Sequence, residues 1–309
     1  MATAFITHSA CLRHDMGSHH PECPARLAAI EDQLIASGLF QFLEAHEAPL
    51  ATEAQLARAH PAHHIETIRS SAPERGIVHL DPDTAMSPGT WEAALRAAGA
   101  AVLATDLVLG GRVENAFCSV RPPGHHATRD RAMGFCFFNN VAVAALHALE
   151  HHGLERVAVI DFDVHHGNGT EDIFAGDERV LMAGTFQHPF YPYSGADHPA
   201  RNMVNVPLPA GTGSAGFREA VSARWLPALR AFAPQMVFIS AGFDAHLEDD
   251  MAMLRLVDQD YGWVTREVKA VVDRTGAGRI VSVLEGGYEL SALGRSVVHH
   301  LRVLGGLDG

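Results

Sequence analysis

Two acidic segments carry the residues whose types and spacing could do chemistry. In RVAVIDFDVHHGNGTEDIF an apolar run leads into Asp161, Asp163 and His165 before Gly167 and Gly169 break it. Alternate residues of a strand share one side. Asp163 and His165 can therefore present a carboxylate and an imidazole to one cation, with Asp161 a step further in and placed to orient a ligand. In MVFISAGFDAH, Asp244 follows a second apolar run and Gly242. The carboxyl ends of parallel α/β strands converge on the ligand site, which lets Asp244 join the other two across about eighty residues. Two Asp and one His leave a coordination position for water, the arrangement of a catalytic rather than a structural metal. Such a set accepts Zn²⁺, and also Fe²⁺, Mn²⁺ or Co²⁺.

Paired histidines occur six times. His19 with His20, His63 with His64, His151 with His152, and His299 with His300 have no matching carboxylate context and read mostly as surface or capping residues. His165 with His166 sits in the acidic segment. His125 with His126 lies in RPPGHHATRDRAMGFCFFNN, between a rigid Pro-Pro-Gly turn and an aromatic run. Adjacent imidazoles there can act as general base and general acid where nearby acceptors set their tautomers. In LEGGYEL, Tyr288 follows two glycines at a strand end and can aim its hydroxyl at an oxyanion.

The elements that must position these groups are legible as alternating strands and helices. Short apolar and β-branched runs at 115–120, 156–164, 179–186, 236–241 and 279–284 read as buried strands. Helical patterns cover 90–109, 141–151, 214–232, 256–274 and 291–304. This alternation predicts an α/β fold with a largely parallel sheet. The first hundred residues, rich in His and Pro, are more irregular and are expected to supply a binding rim. GTGSAG, with Gly211, Gly213 and Gly216, formally satisfies a dinucleotide-binding pattern. Pro207 and Pro209 interrupt the run before it, so a loop with a helix cap is the better reading.

Composition narrows the function. The 309 residues, 47% hydrophobic, can bury a substantial core as one large domain. A formal charge of −13 argues against a nucleic-acid surface and suits a cationic substrate. The start lacks a basic-then-apolar segment, and Asp106 breaks the apolar stretch 97–109. A cytoplasmic protein with no membrane span is therefore expected. Four cysteines without CxxC spacing leave any metal to His and carboxylates. The sequence leaves the oligomeric state open.

With these segments in view, the chain resembles the histone deacetylases and their bacterial relatives, most closely class II. RPPGHH, GFCFFNN, DFDVHHGNGT, SAGFDAH and EGGY occur in the family's order, and the likeness is weakest before about Pro61. The resemblance implies an arginase-like three-layer fold over residues 1–309 as one catalytic domain, with a mostly parallel central sheet and helices on both faces. It implies one zinc ion held by Asp163, His165 and Asp244, and a carbonyl-polarising Tyr288. His125 and His126 would be the paired histidines, partnered by Asp161 and by Asn168. It further implies that Gly134 accepts a hydrogen bond from the substrate amide and that Phe135 and Tyr191 flank an acyl-lysine tunnel. A potassium site is implied near Asp161, where Gly184 stands in place of a hydroxyl ligand. The implied reaction is hydrolysis of an acyl-lysine in a peptide or protein, or of a related acylated amine.

The alternative is an acetylpolyamine or other small-molecule amide substrate. Relatives specific for acetylpolyamines carry a glutamate gatekeeper where Met251 stands here, although Glu248, Asp249 and Asp250 lie close by. A binuclear manganese ureohydrolase would need carboxylates where Gly167 and His246 stand. A non-catalytic acyl-amine binding protein would have lost a ligand, a paired histidine or the tyrosine, and all six are present.

Overall fold

The structure is a computed structural model that describes residues 2–274 and 278–308. The strands are β1 (Thr3–Thr7), β2 (Leu43–Glu47), β3 (Val78–Asp81), β4 (Thr84–Met86), β5 (Asn115–Cys118), β6 (Val157–Asp161), β7 (Val180–Gln187), β8 (Met203–Leu208), β9 (Met236–Ala241) and β10 (Ile280–Leu284). The α-helices are α1 (Ala25–Ala36), α2 (Glu53–Leu56), α3 (Ala62–Ser71), α4 (Thr90–Leu109), α5 (Asn140–Glu150), α6 (Asn168–Phe174), α7 (Ser214–Ala220), α8 (Leu226–Phe232), α9 (Asp258–Arg274) and α10 (Leu290–Leu304).

Eight strands form one sheet in the order β2-β1-β5-β10-β9-β6-β7-β8, and every neighbouring pair is parallel. The central strands β6, β9 and β10 are buried at every residue. That is why they read as continuous apolar runs: a parallel sheet is covered on both faces. Helices α1, α9 and α10 pack together, while α4 and α5 pack together against β1, β5, β6, β9 and β10. Strand β5 lies next to β10, β10 next to β9, and β9 next to β6. The four carboxyl ends that carry the expected chemistry are thus contiguous.

The expected elements are present, with informative differences. Strand β6 stops at Asp161, and residues 162–166 leave the ladder in a bend that carries Asp163 and His165. Simple strand alternation therefore does not account for where those two side chains point. The 214–232 helix is broken by a π turn at Val221–Trp225. Pro227, in the first turn of α8, cannot donate to the carbonyl of Ala223 four residues back, and the wider turn absorbs the missing bond. Pro207 does not end its strand, because β8 is an edge strand with one bonded neighbour. Gly213 is the N-cap of α7, in line with a loop and cap.

The irregular first hundred residues hold β1, β2, the short helices and an antiparallel ribbon of β3 and β4. They also supply a buried ion network. Glu22, Arg26 and Arg121 are each 0% exposed. Glu22 accepts from Arg26 Nη1 at 3.0 Å and from Arg121 Nη2 at 2.6 Å, with Arg121 Nε also on its Oε1. Arg121 Nη1 reaches the carbonyls of Cys11 at 2.8 Å and His14 at 3.0 Å. Arg26 donates to the carbonyl of Gly287 at 2.6 Å and to that of Glu285. One carboxylate thus ties the N-terminal segment to the loops after β5 and β10.

Burial opposes the charge on Glu22, but Arg121, His14 and Arg26 outweigh it and hold the carboxyl well below its usual range. A depressed carboxyl contributes stability above its unfolded pKa of about 4.3, lost as pH falls below that value. Glu22→Gln is expected to cost about 3–5 kcal/mol at neutral pH by leaving two buried guanidinium groups uncompensated. Urea unfolding of parent and variant from pH 7 downward should show that difference shrinking below about pH 4.3. A pH-independent difference would remove the charge argument.

Candidate active site

The loop after β5 carries His125 and His126, and Glu285 shapes it from the end of β10. One Glu285 oxygen, Oε2, accepts from the backbone N–H of Gly124 at 2.7 Å and of His125 at 3.1 Å. The two imidazole rings lie 4.1 Å apart but have different partners. His125 Nδ1 sits 2.9 Å from Asp161 Oδ2, and His126 Nδ1 sits 2.7 Å from Asn168 Oδ1 at the start of α6. Each oxygen fixes Nδ1–H on a neutral ring and leaves Nε2 free.

Asp163, His165 and Asp244 converge. One ligand atom from each lies within 4.8 Å of the other two. His165 Nδ1 is 3.0 Å from Asp163 Oδ1 and 3.2 Å from Asp244 Oδ2. Backbone N–H groups hold the carboxylates: His165 and Gly286 donate to Asp163, each at 2.9 Å, and Val164 donates to Asp244 at 2.9 Å. Asp244 Oδ2 is buried and, beyond the His165 contact, has no hydrogen-bond partner among the described residues. A Cβ at Gly242 would fall 2.0 Å from Asp163 Oδ2, and one at Gly286 would fall 2.1 Å from Asp244 Oδ2. Only glycine lets the backbone close round these oxygens. Two buried carboxylates, one imidazole and an otherwise unpartnered oxygen at the focus fit a divalent cation.

The electrostatics divide the histidines. Burial disfavours the charged form of His125, but the carboxylates of Asp163 and Asp161 outweigh it and hold the imidazole well above its ordinary value. His126 goes the other way: burial, then His125 and His165, push it well below. His165, also buried, is carried up to about 9 by Asp163 and Asp244. Burial and the Asp163 charge raise Asp244 to about 6, and burial raises Glu285 to about 7.

Above this floor lies a cavity of about 160 Å³, lined by His125, His126, His165 and Tyr288, with Phe135, Phe190, Tyr191 and Met251 among its walls. Burial and then the Asp244 charge keep the Tyr288 hydroxyl protonated, far above the usual phenol range. Its backbone is clamped: Asp249 Oδ2 accepts from the N–H of Tyr288 at 2.6 Å and of Glu289 at 3.1 Å, and the Arg26 guanidinium lies 5.0 Å from the ring centroid. Gly134 and Phe135 both have positive φ, 57° and 69°. A Cβ at Gly134 would meet the His126 ring at 2.4 Å, so glycine is required for this close approach. The Gly134 carbonyl takes the Cys136 thiol at 3.2 Å and keeps a second lone pair.

All the site residues expected from sequence gather here, Asp161 and Asn168 as the histidine partners and Met251 at the wall. Gly184 lies across from Asp161 in the β6–β7 ladder and offers no side-chain oxygen. Sequence reasoning missed Glu285, Asp83 and Phe190. Asp83 lines the cavity and accepts from the Gly134 N–H at 3.1 Å, while Thr84 takes the Phe135 N–H at 3.0 Å. The turn signal of Asp-Pro-Asp in HLDPDTAM was the available clue to that ribbon.

The acidic residues beside Met251 are partly committed. Glu248 pairs with Arg295 at 2.9 Å, and Asp249 holds the backbone before α10. At Gly167 a Cβ would fall 2.3 Å from Asp161 Oδ2, so no carboxylate fits there, and His246 turns to Asp258 at 3.0 Å. Among the other pairs, His64 and His300 are core residues rather than surface ones. His64 Nε2 is 2.8 Å from the Phe137 carbonyl, and His300 bridges Thr265 at 2.6 Å and Ser282 at 2.9 Å. His152 does have a carboxylate, Asp106 at 2.7 Å, brought by the fold from α4.

Comparison with known proteins places this arrangement. Residues 20–304 match the histone deacetylase domain family. The chain is 38% identical over 310 residues to the histone deacetylase-like amidohydrolase of Pseudomonas aeruginosa, covering 93% of this chain and 81% of that one. It is 35% identical to human polyamine deacetylase HDAC10, covering 98% of this chain and 48% of the relative. The crystal structure of the HDA15 HD domain superposes with a TM-score of 0.93 at 33% identity, covering 99% and 89% of the two chains. A contiguous set of parallel strand ends carrying paired histidines, a tyrosine and a metal-type donor set therefore has the ancestry its sequence motifs implied: the chain belongs to the histone deacetylase family and is a hydrolase acting on amides.

Proposed function

We propose that residues 1–309 act as one zinc-dependent deacylase domain that hydrolyses the amide of an acyl-lysine, or of a related acylated amine, to a free amine and a carboxylate. The observation that carries this reading is the narrow apolar-walled cavity lined by the histidine pair, Tyr288 and His165, whose imidazole is grouped with Asp163 and Asp244. A zinc ion held by Asp163, His165 and Asp244 would supply Lewis acidity at that floor. Phe135, Phe190 and Tyr191 exclude water along an alkyl chain, and the second lone pair of Gly134 O can take the amide N–H.

His126 is the histidine suited to take a proton from water, since it is held neutral with Nδ1–H on Asn168. Once protonated, it is poised to return that proton to the departing amine, because Asn168 cannot stabilise the imidazolium as a carboxylate would. His125, kept cationic by Asp163 and Asp161, and the protonated Tyr288 hydroxyl stabilise negative charge developing on the carbonyl oxygen. The polyamine reading draws on the human relative. In this chain the committed Glu248 and Asp249 leave Asp250 as the acidic neighbour of Met251 with no side-chain partner among the described residues.

The test is a panel of acetyl-lysine peptide, longer acyl-lysine peptides and acetylated polyamines, assayed with metal-analysed protein with and without a hydroxamate. Hydroxamate-sensitive turnover with one zinc in the active site supports the reading and ranks the substrates. No turnover on any lysine substrate would sink the acyl-lysine assignment. Tyr288→Phe should lower kcat by roughly 10²–10³-fold with metal content unchanged. Near-normal turnover would take the hydroxyl out of the mechanism.

Proton and metal compete for His165. Because its folded pKa is about 9, metal affinity should fall about tenfold for each unit the pH drops from 8 to 6. Below about 6 the decline should steepen as Asp244 also takes a proton. Zinc competition against a chelator across this range checks both, and a flat affinity would contradict ligation by His165.

A further inference from the structure

We propose that His147, His151, His152 and Asp106 form a second zinc-type divalent-metal site, on the side of the sheet away from the cavity. The cluster unites two helices that are distant in sequence. His147 and His151 are one turn apart on and just past α5, with stacked rings 4.7 Å apart at 17°. The His152 ring lies 5.1 Å from His147 and 5.0 Å from His151. A nitrogen from each lies within 4.8 Å of the other two. From α4, Asp106 Oδ1 reaches His147 Nε2 at 2.8 Å and His152 Nε2 at 2.7 Å, so a carboxylate already bridges two of the three imidazoles.

Three imidazoles and one carboxylate are a complete donor set for tetrahedral zinc. Donor atoms around such an ion stand roughly 3.3 Å apart, so the two His–Asp contacts need to open by about half an ångström. The His151 imidazole makes no hydrogen bond among the described residues and lies against the rings of His147 and His152, which leaves a nitrogen donor unused. Burial lowers His147, keeping it neutral, and its imidazole partners hold Asp106 below the ordinary carboxylate range against partial burial. The cluster therefore offers a neutral imidazole at His147 and an ionised carboxylate at Asp106.

One group must move. Arg58 Nη1 lies 3.1 Å from His147 Nδ1, and ligation through Nε2 puts a proton on that Nδ1. Arg58 has an alternative partner in Glu150, whose carboxylate is 3.6 Å from its Nε. The place in the fold gives the ion a role distinct from catalysis. Helix α4 ends before β5 begins and α5 ends before β6 begins, so the cluster lies at the amino ends of strands whose carboxyl ends carry the cavity. Four protein donors close the coordination sphere, and the ion would pin the ends of α4 and α5 together.

The competing account is a metal-free clamp in which Asp106 accepts from His147 and His152. Zinc chloride titration by equilibrium dialysis with elemental analysis, alongside thermal melting, separates the two. The parent is expected to bind one equivalent more than a His151→Ala, His152→Ala double variant. Its melting temperature should rise by roughly 5 °C at a hundredfold excess of free zinc over Kd, a rise the variant lacks. His151→Gln, which leaves both Asp106 hydrogen bonds in place, should weaken that equivalent by about tenfold or more. Deacylase activity at fixed active-site loading should be unchanged in both variants. Equal stoichiometry and affinity in parent and double variant would overturn the site, whatever the cavity itself binds.

Discussion

Four carboxylates, Asp161, Asp163, Asp244 and Glu285, are buried at the ends of three adjacent strands, β6, β9 and β10, or just beyond them, each at most 2% exposed, and the site is organised around that constraint. Burying one ion unpaired is costly, and like charges in proximity add to the cost. Backbone amides meet part of it. Asp163 donates its N–H to Asp161, His165 and Gly286 donate to Asp163, Val164 to Asp244, and Gly124 and His125 to Glu285. Those approaches need Gly242 and Gly286 without side chains, and the amides reach the oxygens only because the chain turns sharply as each strand ends. Amides alone leave negative charge in excess, since among the described residues none reaches Asp244 Oδ2 or Glu285 Oε1. His125 and His165 answer part of the remainder, and a divalent cation at the focus would answer the rest.

The same economy governs the loops that must not move. The backbone before Tyr288 is gripped from two sides: Arg26 takes the carbonyls of Glu285 and Gly287, and Asp249 takes the amides of Tyr288 and Glu289. Arg26 is in turn oriented by Glu22, which also orients Arg121 at the entrance to the histidine loop. Two catalytic loops from different strands thus refer to one buried carboxylate. A hydroxyl fixed in this way needs no reorganisation when charge develops beside it, the condition under which such donors are most effective.

Legibility followed the range of the interactions. The buried central strands and the long helices were visible because apolar periodicity is local, and α4 begins and ends at the residues its pattern marks. Asp163, His165 and Asp244 were visible because strand ends in a parallel sheet converge by topology, even though the bend after Asp161 rather than strand alternation sets their direction. Strand β1 and the edge strands β2 and β8 were not, since short strands with polar or proline residues lack a distinctive period. Glu285 and Asp83 stood inside or beside recognised segments, but their roles depend on backbone amides supplied 160 and 51 residues away in sequence. His152 failed for the same reason: its carboxylate comes from another helix.

Two neighbouring residues of one type, His125 and His126, have opposite protonation preferences, and the difference comes from their partners and neighbours rather than from the imidazoles. Both are buried, so solvation alone would make both neutral. His125 faces Asp161 at 2.9 Å and Asp163 at 3.7 Å, two formal charges that outweigh burial. His126 faces the uncharged Asn168 and lies beside His125, whose positive charge opposes a second one. The pair behaves as a unit: keeping one ring cationic helps keep the other available as a base. In the proposed reaction this ordering matters more than either pKa by itself. A cation at His125 stabilises an oxyanion, while His126, weakly supported when protonated, returns its proton to an amine. Exchanging the Asp and Asn partners would leave both imidazoles in place and remove the asymmetry that separates their tasks.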